Sequence, residues 1–446
     1  MSAHDPYLAL RHPSYRRYLI GTTCANVGRQ MGTVAVAWQI YQWTHSATAL
    51  GLVGLTNVLP LLALSLPAGV LADRFDRRML IAATTAAIAV LSLLLAWVSW
   101  RSDVVPDLAV LRAANEGLHR LALVFERAGG TEPLDFSRPA LPIVYLLLLA
   151  IATLRIIGWP ARTSIVPQLL PAPALSNAVT WNSSLFELST MAGPALGGFV
   201  IAWFGFSAVY LLDALAGLTL VGLLIGVRPV VPPRPPDRAR GWRSLLAGAE
   251  FIWNRKVILA ASGLDLFAVL LGGAVALLPL YADQILHVGP IGLGWLRAAP
   301  SIGAFAMALW IAHRRPLQHP GFALLWSVVG FGVAIVVFGV STWFWLSFLA
   351  LLATGAFDNI SVVVRHSLVQ LLTPDHLRGR VTAVNQIFVG SSNEVGTLRA
   401  GLMAALIGPV GAVVWGGVGT LVVVALIARA VPALRRLPAL DQLRPD

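Results

Sequence analysis

The sequence contains one cysteine and few charged residues. The single cysteine, Cys24, excludes an intrachain disulfide and a zinc cluster built from cysteines. Only 12% of the 446 residues are charged and 57% are hydrophobic, whereas a soluble domain carries about 25% charged residues. So much apolar surface requires lipid as its surroundings. The sequence therefore predicts an all-α membrane protein.

Motifs for catalysis and for nucleic-acid binding are also lacking. The sequence has no HExxH motif, nucleophile elbow or phosphate-binding loop, and none of its nine histidines lies in the middle of an apolar run. We therefore expect no enzymatic activity, no metal and no cofactor. The net charge of +12 is scattered between apolar runs and forms no single basic patch, which argues against nucleic acid as a partner. A membrane-embedded enzyme, or a sensor without transport, is the alternative class.

Twelve apolar runs are long enough to cross a bilayer, which requires about 20 residues per helix. They lie near 18–43, 49–72, 79–100, 141–160, 178–203, 206–227, 257–281, 292–312, 321–340, 343–364, 381–407 and 410–430. Arginines concentrate in alternate connections, to which we assign Arg74, Arg162 and Arg365, so the positive-inside rule predicts that both termini are cytoplasmic. The polar start leads directly into the first run, so no cleaved signal peptide is expected.

The basic residues also suggest the source and the setting of the protein. Only Lys256 among the 32 basic residues is a lysine, which indicates the coding bias of a GC-rich bacterial genome. We expect a multi-pass monomer in the bacterial inner membrane, surrounded by the lipid bilayer.

The connection 101–140 carries charges of both signs. Leucine and phenylalanine recur in it at helical spacing, at Leu108, Leu111, Leu118, Leu121 and Phe125. This spacing predicts an amphipathic helix on the outer surface. A structural cap or a membrane-surface helix is the favoured interpretation, and a binding or gating role is the alternative.

The spans divide into two similar groups of six. The proline-rich segment 228–256 predicts an extended cytoplasmic linker between a bundle at 1–227 and a second bundle with its cytoplasmic tail at 257–446. The sequence that begins Arg162-Thr-Ser after span four recurs as Arg365-His-Ser after span ten. Likewise, Pro60 of span two has a counterpart in Pro300 of span eight. Two pseudo-symmetric six-helix bundles around a central cavity are typical of transporters.

Two motifs carry a resemblance to a known family. The loop after span two reads Gly69-Val-Leu-Ala-Asp73-Arg74-Phe-Asp76-Arg77-Arg78, and span five contains Gly193-Pro194-Ala-Leu-Gly197-Gly198. The first resembles the signature loop of the major facilitator superfamily, and the second is similar to the motif of its drug:proton antiporters. Arg155, with Gly158 close behind it, is a looser match to the buried arginine motif of that group. Nearly the whole chain resembles the enterobactin-exporter and macrolide-efflux branch, except for 101–140, which that branch generally lacks.

The resemblance implies roles for both motifs. Asp73 is expected to act as a conformational latch against the N-terminal end of span eleven, together with Gly69, Arg74, Arg77 and Arg78. These arginines could instead serve only as topology anchors. Asp76 stands where the signature usually has glycine, and aspartate tolerates a tight turn better than most residues. The glycines of span five allow close helix approach and Pro194 bends the helix, although the motif could serve packing alone.

Charged residues inside apolar spans are costly and usually functional. The resemblance implies that spans one, four, seven and ten line the cavity, and these spans carry Arg29, Arg155, Asp265 and Asp358. We predict that Asp265, Asp358 and Glu187 carry protons and that Arg155 or Arg29 tunes them. Static ion pairs are the alternative for these residues, and we assign Asp213, Arg297 and Arg399 to structure. Candidates for the cavity wall are Asn26, Gln30, Trp38, Gln39, Trp159 and Asn359.

These features predict a secondary active transporter that works by alternating access. The favoured function is proton-coupled efflux of a small amphipathic organic molecule such as a drug, a macrolide or a siderophore. An importer or a uniporter of similar solutes is the alternative within transport.

Overall fold

The computed structural model describes residues 5–102, 104–126, 134–228, 242–313 and 318–435, together with 437 and 439. Every regular element in these residues is a helix, and they contain no strand. Helices suit a chain that crosses lipid because they satisfy their backbone N–H and C=O groups internally. The predicted all-α class is confirmed.

The described residues up to 228 contain six α-helices, and those from 242 contain nine. The first group is α1 (Pro13–Thr44), α2 (Ala47–Arg74), α3 (Arg77–Trp100), α4 (Ala109–Phe125), α5 (Ala140–Leu169) and α6 (Leu175–Ile225). The second group is α7 (Trp242–Asn254), α8 (Lys256–Gly272), α9 (Leu278–Leu280), α10 (Gly289–Ala312), α11 (Pro320–Val340), α12 (Phe344–Leu372), α13 (Asp375–Ile407), α14 (Pro409–Ala430) and α15 (Pro432–Arg435). A 3-10 turn at Ala274–Leu277 and a π-helical turn at Tyr281–Ile285 flank α9.

The helices account for the predicted spans. Within the described residues, nine helical segments are long and apolar enough to cross a membrane. One of these, Ala172–Ile225, holds two spans because Gly205 interrupts it. α1 and α13 fall outside this group because they carry polar residues such as Arg29 and Glu394. With α1 and α13 added and α6 counted twice, the structure has the twelve spans that the sequence predicts.

The two halves share a backbone feature at equivalent junctions. Gly205 has φ 78° and ψ −178°, and Gly408, between α13 and α14, has φ 79° and ψ 162°. This backbone region is accessible almost only to glycine. A glycine thus turns the chain between spans five and six and again between spans eleven and twelve, which supports the internal repeat.

From its internal contacts the chain divides into two compact units. Unit 1 comprises Met1–Gln39, Leu59–Glu116 and Phe136–Arg238, and unit 2 comprises Ile40–Val58, Gly117–Asp135 and Ala239–Asp446. The end of α1 and the first part of α2 therefore group with the C-terminal part of the sequence. Gly51 makes this possible, since a Cβ there would lie only 3.0 Å from the carbonyl oxygen of Leu398. The predicted boundaries at 227 and 257 stay a prediction.

Unit 1 is held together by apolar packing and by tyrosine hydroxyls. Large side chains from α1, α3, α5 and α6 are buried together, among them Ile81, Leu169 and Leu220. The hydroxyl of Tyr15 donates a hydrogen bond to the carbonyl oxygen of Ala178 at 2.9 Å. Because lipid is as apolar as a leucine side chain, packing and such interhelical hydrogen bonds, rather than exclusion from water, hold these helices together.

Unit 2 is held together at several points by glycines that face backbone atoms. Gly303 of α10 lies against the carbonyl group of Leu352, and Gly355 of α12 lies against that of Pro300. Gly417 of α14 similarly approaches α11, where a Cβ would lie 2.8 Å from the carbonyl oxygen of Gly332. Small residues at these positions let the helix backbones meet directly.

The prediction of an extended linker over 228–256 is wrong for its second part. Residues 229–241, which hold all five linker prolines, lie outside the described residues, but Trp242–Asn254 forms α7. The last proline of this segment is Pro236, so nothing after it prevents a helix. Ile252 is buried in a cluster with Val381 and Val384 of α13, which supplies the packing that stabilises α7.

The helix predicted within 101–140 is confirmed as α4, and Leu111, Leu118 and Phe125 of its predicted apolar face are partly buried. Leu108 precedes the helix and is 55% exposed, and Leu121 is also exposed. Asn115 and Ala122 are buried on the same side of the helix as these partly buried residues. The Nδ2 of Asn115 donates a hydrogen bond to the carbonyl oxygen of Arg138 at 2.8 Å, which gives this buried polar group a partner.

Candidate functional site

Charged side chains of three helices interact inside unit 1. Arg29 of α1 interacts electrostatically with Arg155 and Arg162 of α5 and with Asp213 of α6. The guanidinium of Arg29 makes no hydrogen bond or ion pair within the described part of the chain, although its side chain is partly buried. The structure therefore brings together the predicted residues Arg29 and Arg155, and it adds two more charges.

Asp213 is the carboxylate that interacts with both Arg29 and Arg155. Its Oδ2 accepts a hydrogen bond of 2.8 Å from the hydroxyl of Ser92 on α3. A Cβ at Gly28 of α1 would lie 3.2 Å from its Oδ1, so the carboxylate reaches the backbone of α1. Asp213 therefore belongs to the charged cluster, and its assignment to a structural role stays a prediction.

The main buried charges of unit 2 are a pair. Asp265 of α8 and Arg365 of α12 form an ion pair, with side chains 4% and 3% exposed. Our assignment of Arg365 to a cytoplasmic connection is wrong because α12 continues through it to Leu372. A buried arginine can remain inside a span when a carboxylate compensates its charge.

Arg162 repeats this error in unit 1. It lies inside α5, which continues to Leu169, and its Nη2 donates a hydrogen bond of 2.8 Å to the hydroxyl of Thr85. Arg162 and Arg365 begin the two copies of the sequence repeat. The two arginines are therefore equivalent in the repeat, and both lie inside helices.

The other predicted carriers, Asp358 and Glu187, have no charged partner within the described residues. Asp358 of α12 is partly buried and makes no hydrogen bond or ion pair there. The neighbouring Asn359 has a buried side-chain oxygen that accepts no hydrogen bond from described residues. On α6, the hydroxyl of Thr190 contacts Oε2 of Glu187 at 3.4 Å. Asp358 thus differs from Asp265, whose charge is compensated.

Arg297 and Arg399 support the interruption that follows α8. The Nη1 of Arg297 donates a hydrogen bond of 3.2 Å to the carbonyl oxygen of Val275, and Nη2 of Arg399 donates to that of Leu271. Backbone carbonyls near a helix break need such partners in a membrane. These contacts agree with the structural role that we predict for both arginines.

The candidates for the cavity wall lie in different settings. Gln39 is fully buried. Its side-chain amide donates a hydrogen bond of 2.8 Å to the Ser99 hydroxyl and accepts one of 2.6 Å from the Tyr210 hydroxyl. Because these bonds occupy the amide inside the helix packing, they argue against a role in a cavity wall. Trp38 is also buried, whereas Trp159 is 52% exposed. The remaining candidates are partly buried, namely Asn26, Gln30 and Asn359. An open apolar groove of about 710 Å³ between α3 and α5 is lined by none of these candidates.

The signature loop is tied to its own unit by arginines. Arg77 lies 3.9 Å from Asp73 and donates a hydrogen bond of 3.0 Å to the carbonyl oxygen of Ser164 on α5. Arg78 donates to the carbonyl oxygen of Val227, just beyond α6, at 2.7 Å. Among the other motif residues, Arg74 is exposed, and a Cβ on Gly69 would have open space around it. The latch between Asp73 and span eleven stays a prediction.

Asp76 has a different role from the one that we expected. Its φ of −57° lies outside the left-handed region, so tolerance of a tight turn is not what this position requires. Its carboxylate instead accepts hydrogen bonds from the backbone N–H groups of Arg78 at 2.8 Å and Met79 at 3.3 Å. Asp76 is the N-cap of α3, and a carboxylate fits the positive end of a helix.

The antiporter-type motif brings α6 against the part of α1 that carries Arg29. A Cβ at Gly193 would lie 2.5 Å from Cβ of Gln30, and one at Gly197 would lie 3.0 Å from Cα of Met31. Pro194 and Gly198 are buried beside them, and the helix continues through Pro194. The motif therefore packs α6 directly on Val27, Gln30 and Met31 of α1.

The comparison with protein families decides the identity. The family described as transmembrane secretion effector matches residues 4–111 and 132–444. The chain belongs to this family. It is thus a transporter of the major facilitator superfamily, as the two motifs predicted. The match leaves out 112–131, most of α4 and the residues that follow it.

Individual relatives agree with this assignment. The chain is 28% identical over 428 residues to the enterobactin exporter EntS of Citrobacter koseri, covering 95% of this chain and 93% of the relative. It is 27% identical over 429 residues to an enterobactin exporter EntS of Escherichia coli, with the same coverage of 95% and 93%. Family and relatives together show an efflux transporter of a small molecule in a bacterial membrane, which confirms the predicted function class.

Solved structures show the same fold. A bacterial homologue of the human lysosomal transporter Spinster, in an inward-facing and unoccupied conformation, matches with a TM-score of 0.68 and 14% identity over 98% of this chain and 100% of that chain. A POT family transporter in complex with 5-aminolevulinic acid matches with a TM-score of 0.65 and 10% identity, covering 93% and 96%.

Proposed function

We propose that the transporter exports an acidic, amphipathic organic molecule of the siderophore class in exchange for protons. Asp358 carries the proposal. It lies in span ten, one of the spans that the resemblance assigns to the cavity wall. Its carboxyl group is partly buried and makes no ion pair or hydrogen bond among the described residues. An intramembrane carboxyl group without a counter-charge is suited to take up and release a proton.

Asp265 is suited to a second, conditional step. Its ion pair with Arg365 keeps both charges compensated while the substrate is absent. An acidic group of the substrate that binds Arg365 would release Asp265 to accept a proton. Arg365 would then hold the substrate while Asp265 holds the proton, and re-formation of their ion pair would release both. Alternating access would deliver substrate and proton to opposite faces of the membrane.

The charges of unit 1 favour an acidic substrate. Three arginines, Arg29, Arg155 and Arg162, interact with one another there, and only the first two interact with the carboxylate of Asp213. A cluster with more cations than anions attracts an anionic ligand, and planar guanidinium groups suit oxygen-rich acidic groups. The enterobactin exporters among the relatives agree with a siderophore. Macrolides, other drugs and import of a similar solute are the alternatives.

We infer further that the protein is a monomer of the inner membrane with both termini in the cytoplasm. The arginines that remain in connections or at helix ends support this orientation after Arg162 and Arg365 are removed from the set. They are Arg74, Arg77, Arg78, Arg228, Arg378, Arg380 and Arg429.

Purified protein in liposomes with an internal pH dye tests the coupling. Addition of a catecholate siderophore should move protons in the wild type. We expect Asp358→Asn to lose uphill transport at least tenfold and to keep downhill exchange of substrate. Asp107→Asn, which removes a carboxylate from the exposed segment before α4, is the control and should behave as the wild type. Full uphill transport by Asp358→Asn would overturn the proposal.

Ligand-induced thermal stabilisation tests the substrate class. We expect acidic siderophores to raise the unfolding temperature more than macrolides or cationic dyes do. A greater stabilisation by cationic dyes would contradict the proposed class and leave the proton-coupling test unaffected.

A further inference from the structure

The turn between α1 and α2 has a conformation that needs support. His45 has φ 48°, a left-handed value that non-glycine residues rarely adopt. The hydroxyl of Thr44 accepts a hydrogen bond of 3.3 Å from the N–H of Ser46, and the hydroxyl of Ser46 accepts one of 3.0 Å from the N–H of Ala49. Ser46 is therefore the cap of α2, although its own hydroxyl hydrogen still needs an acceptor.

The segment 101–140 supplies that acceptor. Oε1 of Glu126, the residue after α4, accepts hydrogen bonds from the hydroxyl of Ser46 and from the N–H of Thr48, the latter at 3.2 Å. The N–H of Asp135 adds a bond of 3.3 Å to the carbonyl oxygen of Thr44. A carboxylate at the first turn of α2 satisfies an N–H group that has no partner within the helix and opposes the positive helix end.

The supported turn lies beside close contacts that involve α1 and α2 within unit 2. A Cβ at Gly54 of α2 would lie 2.5 Å from the carbonyl oxygen of Glu394 and 3.0 Å from Cβ of Thr397, both on α13. The Nε2 of Gln42, near the end of α1, donates a hydrogen bond of 3.2 Å to Oδ1 of Asp283. Alternating access requires contacts at this end of the helices to open once in each cycle.

We propose that Glu126 is a positioning residue of the transport cycle, which holds the α1–α2 turn in place and favours the state in which α2 is packed on α13. The family match stops at residue 111 and resumes at residue 132, so this support is an addition to the matched fold. The proposal rests on efflux by alternating access and is independent of proton coupling and of the substrate.

Cysteine accessibility tests the proposal. In a Cys24→Ser background, Thr397→Cys places a reporter on α13 opposite Gly54, and a membrane-impermeant maleimide reports how often the two helices separate. We expect Glu126→Ala to raise the labelling rate about fivefold. The loss of one helix cap should change the ratio of separated to packed helices by about this factor. Glu126→Gln keeps an acceptor oxygen and should raise the rate less than twofold.

Two controls separate this effect from general damage. Glu116→Ala removes the same charge from the exposed side of α4 and should leave the rate unchanged. A second cysteine reporter, Ser189→Cys at a fully buried position of unit 1, should stay unlabelled in Glu126→Ala. If the Ser189 reporter is also labelled in Glu126→Ala, the same two reporters are measured in Ser46→Ala, which removes the hydroxyl that donates to Glu126. A labelling rate that then rises only at Thr397→Cys supports the proposal. An unchanged rate at Thr397→Cys in Glu126→Ala, or in the Ser46→Ala variant, would overturn it.

Discussion

Arg365 of α12 and Asp265 of α8 form an ion pair whose two side chains are nearly inaccessible to solvent. Such a pair costs free energy when it is removed from water, and an unpaired buried charge costs more still. Either charge of the pair alone would therefore cost more free energy at this position than the two charges together. Variants of its single members and of both together should differ in a characteristic way.

We expect Arg365→Met alone to lower the free energy of unfolding by about 3–5 kcal/mol, because it leaves Asp265 buried without a counter-charge. The double variant Asp265→Asn with Arg365→Met should recover most of this loss. Thermal unfolding in detergent measures both, with Arg378→Met on the exposed surface of α13 as the control. Additive losses in the double variant would show that the two residues do not act as a pair.

The sequence predicted the spans well and the buried arginines poorly. Apolar length marks a span such as α11 almost by itself, because no other residue pattern is stable in lipid. Charge ends a predicted span, so Arg162 and Arg365 were assigned to connections although α5 and α12 continue past them. A paired arginine is indistinguishable from a loop arginine until its partner is known.

The contacts of Asp213 and Glu126 could not be predicted for a related reason. Each depends on a partner that is distant in the sequence. Ser92 and Asp213 lie 121 positions apart, and Glu126 lies 80 positions from Ser46. The glycine motif of α6 was found from the sequence because its residues are adjacent, but its partner helix was not.

The contact of α6 with α1 predicts a strong effect of small substitutions. Gly193→Ala should lower the unfolding temperature and slow transport, because the added Cβ would lie 2.5 Å from that of Gln30. Overpacking of this kind typically costs about 1–3 kcal/mol. Gly222→Ala on the same helix is a matched control, since a Cβ there meets nothing within 4 Å. Equal effects of the two substitutions would contradict this interpretation.

The repeated glycine turns predict equivalent losses in both halves. Gly205→Ala and Gly408→Ala should each destabilise the protein by about 1–3 kcal/mol, because alanine is strained at these positive φ values. Neither position has an atom within 4 Å of an added Cβ, so the loss would arise from the backbone alone. Thermal unfolding measures it, and a neutral result at either glycine would show that its turn can relax.

The cap of α3 predicts an order among three substitutions. Asp76→Ala should destabilise the protein by about 0.5–2 kcal/mol, because the N–H groups of Arg78 and Met79 lose their acceptor. Asp76→Asn keeps an acceptor, and Asp76→Gly, the residue that is usual in the signature, should cost only a few tenths of a kcal/mol. Thermal unfolding ranks the three. If alanine were as stable as asparagine, the cap would contribute nothing measurable.

Arg29 gives a prediction about substrate charge. Its guanidinium makes no hydrogen bond or ion pair within the described residues, so it is available to an acidic group of the substrate. A hydrogen bond to a charged group contributes about 1.5–3 kcal/mol, which corresponds to roughly a 10- to 150-fold change in affinity. We expect Arg29→Gln to raise the KM for an acidic siderophore by about tenfold or more and to change the KM for a neutral macrolide less than twofold.

Arg29→Lys keeps the positive charge without the planar fork of guanidinium, and it should fall between the wild type and Arg29→Gln. Arg112→Gln, on the exposed side of α4, controls for the loss of charge alone. The concentration dependence of efflux from liposomes measures each KM. Equal increases for the acidic and the neutral substrate would mean that Arg29 supports the fold of unit 1 and does not bind the substrate, because a structural defect cannot distinguish the charge of a ligand.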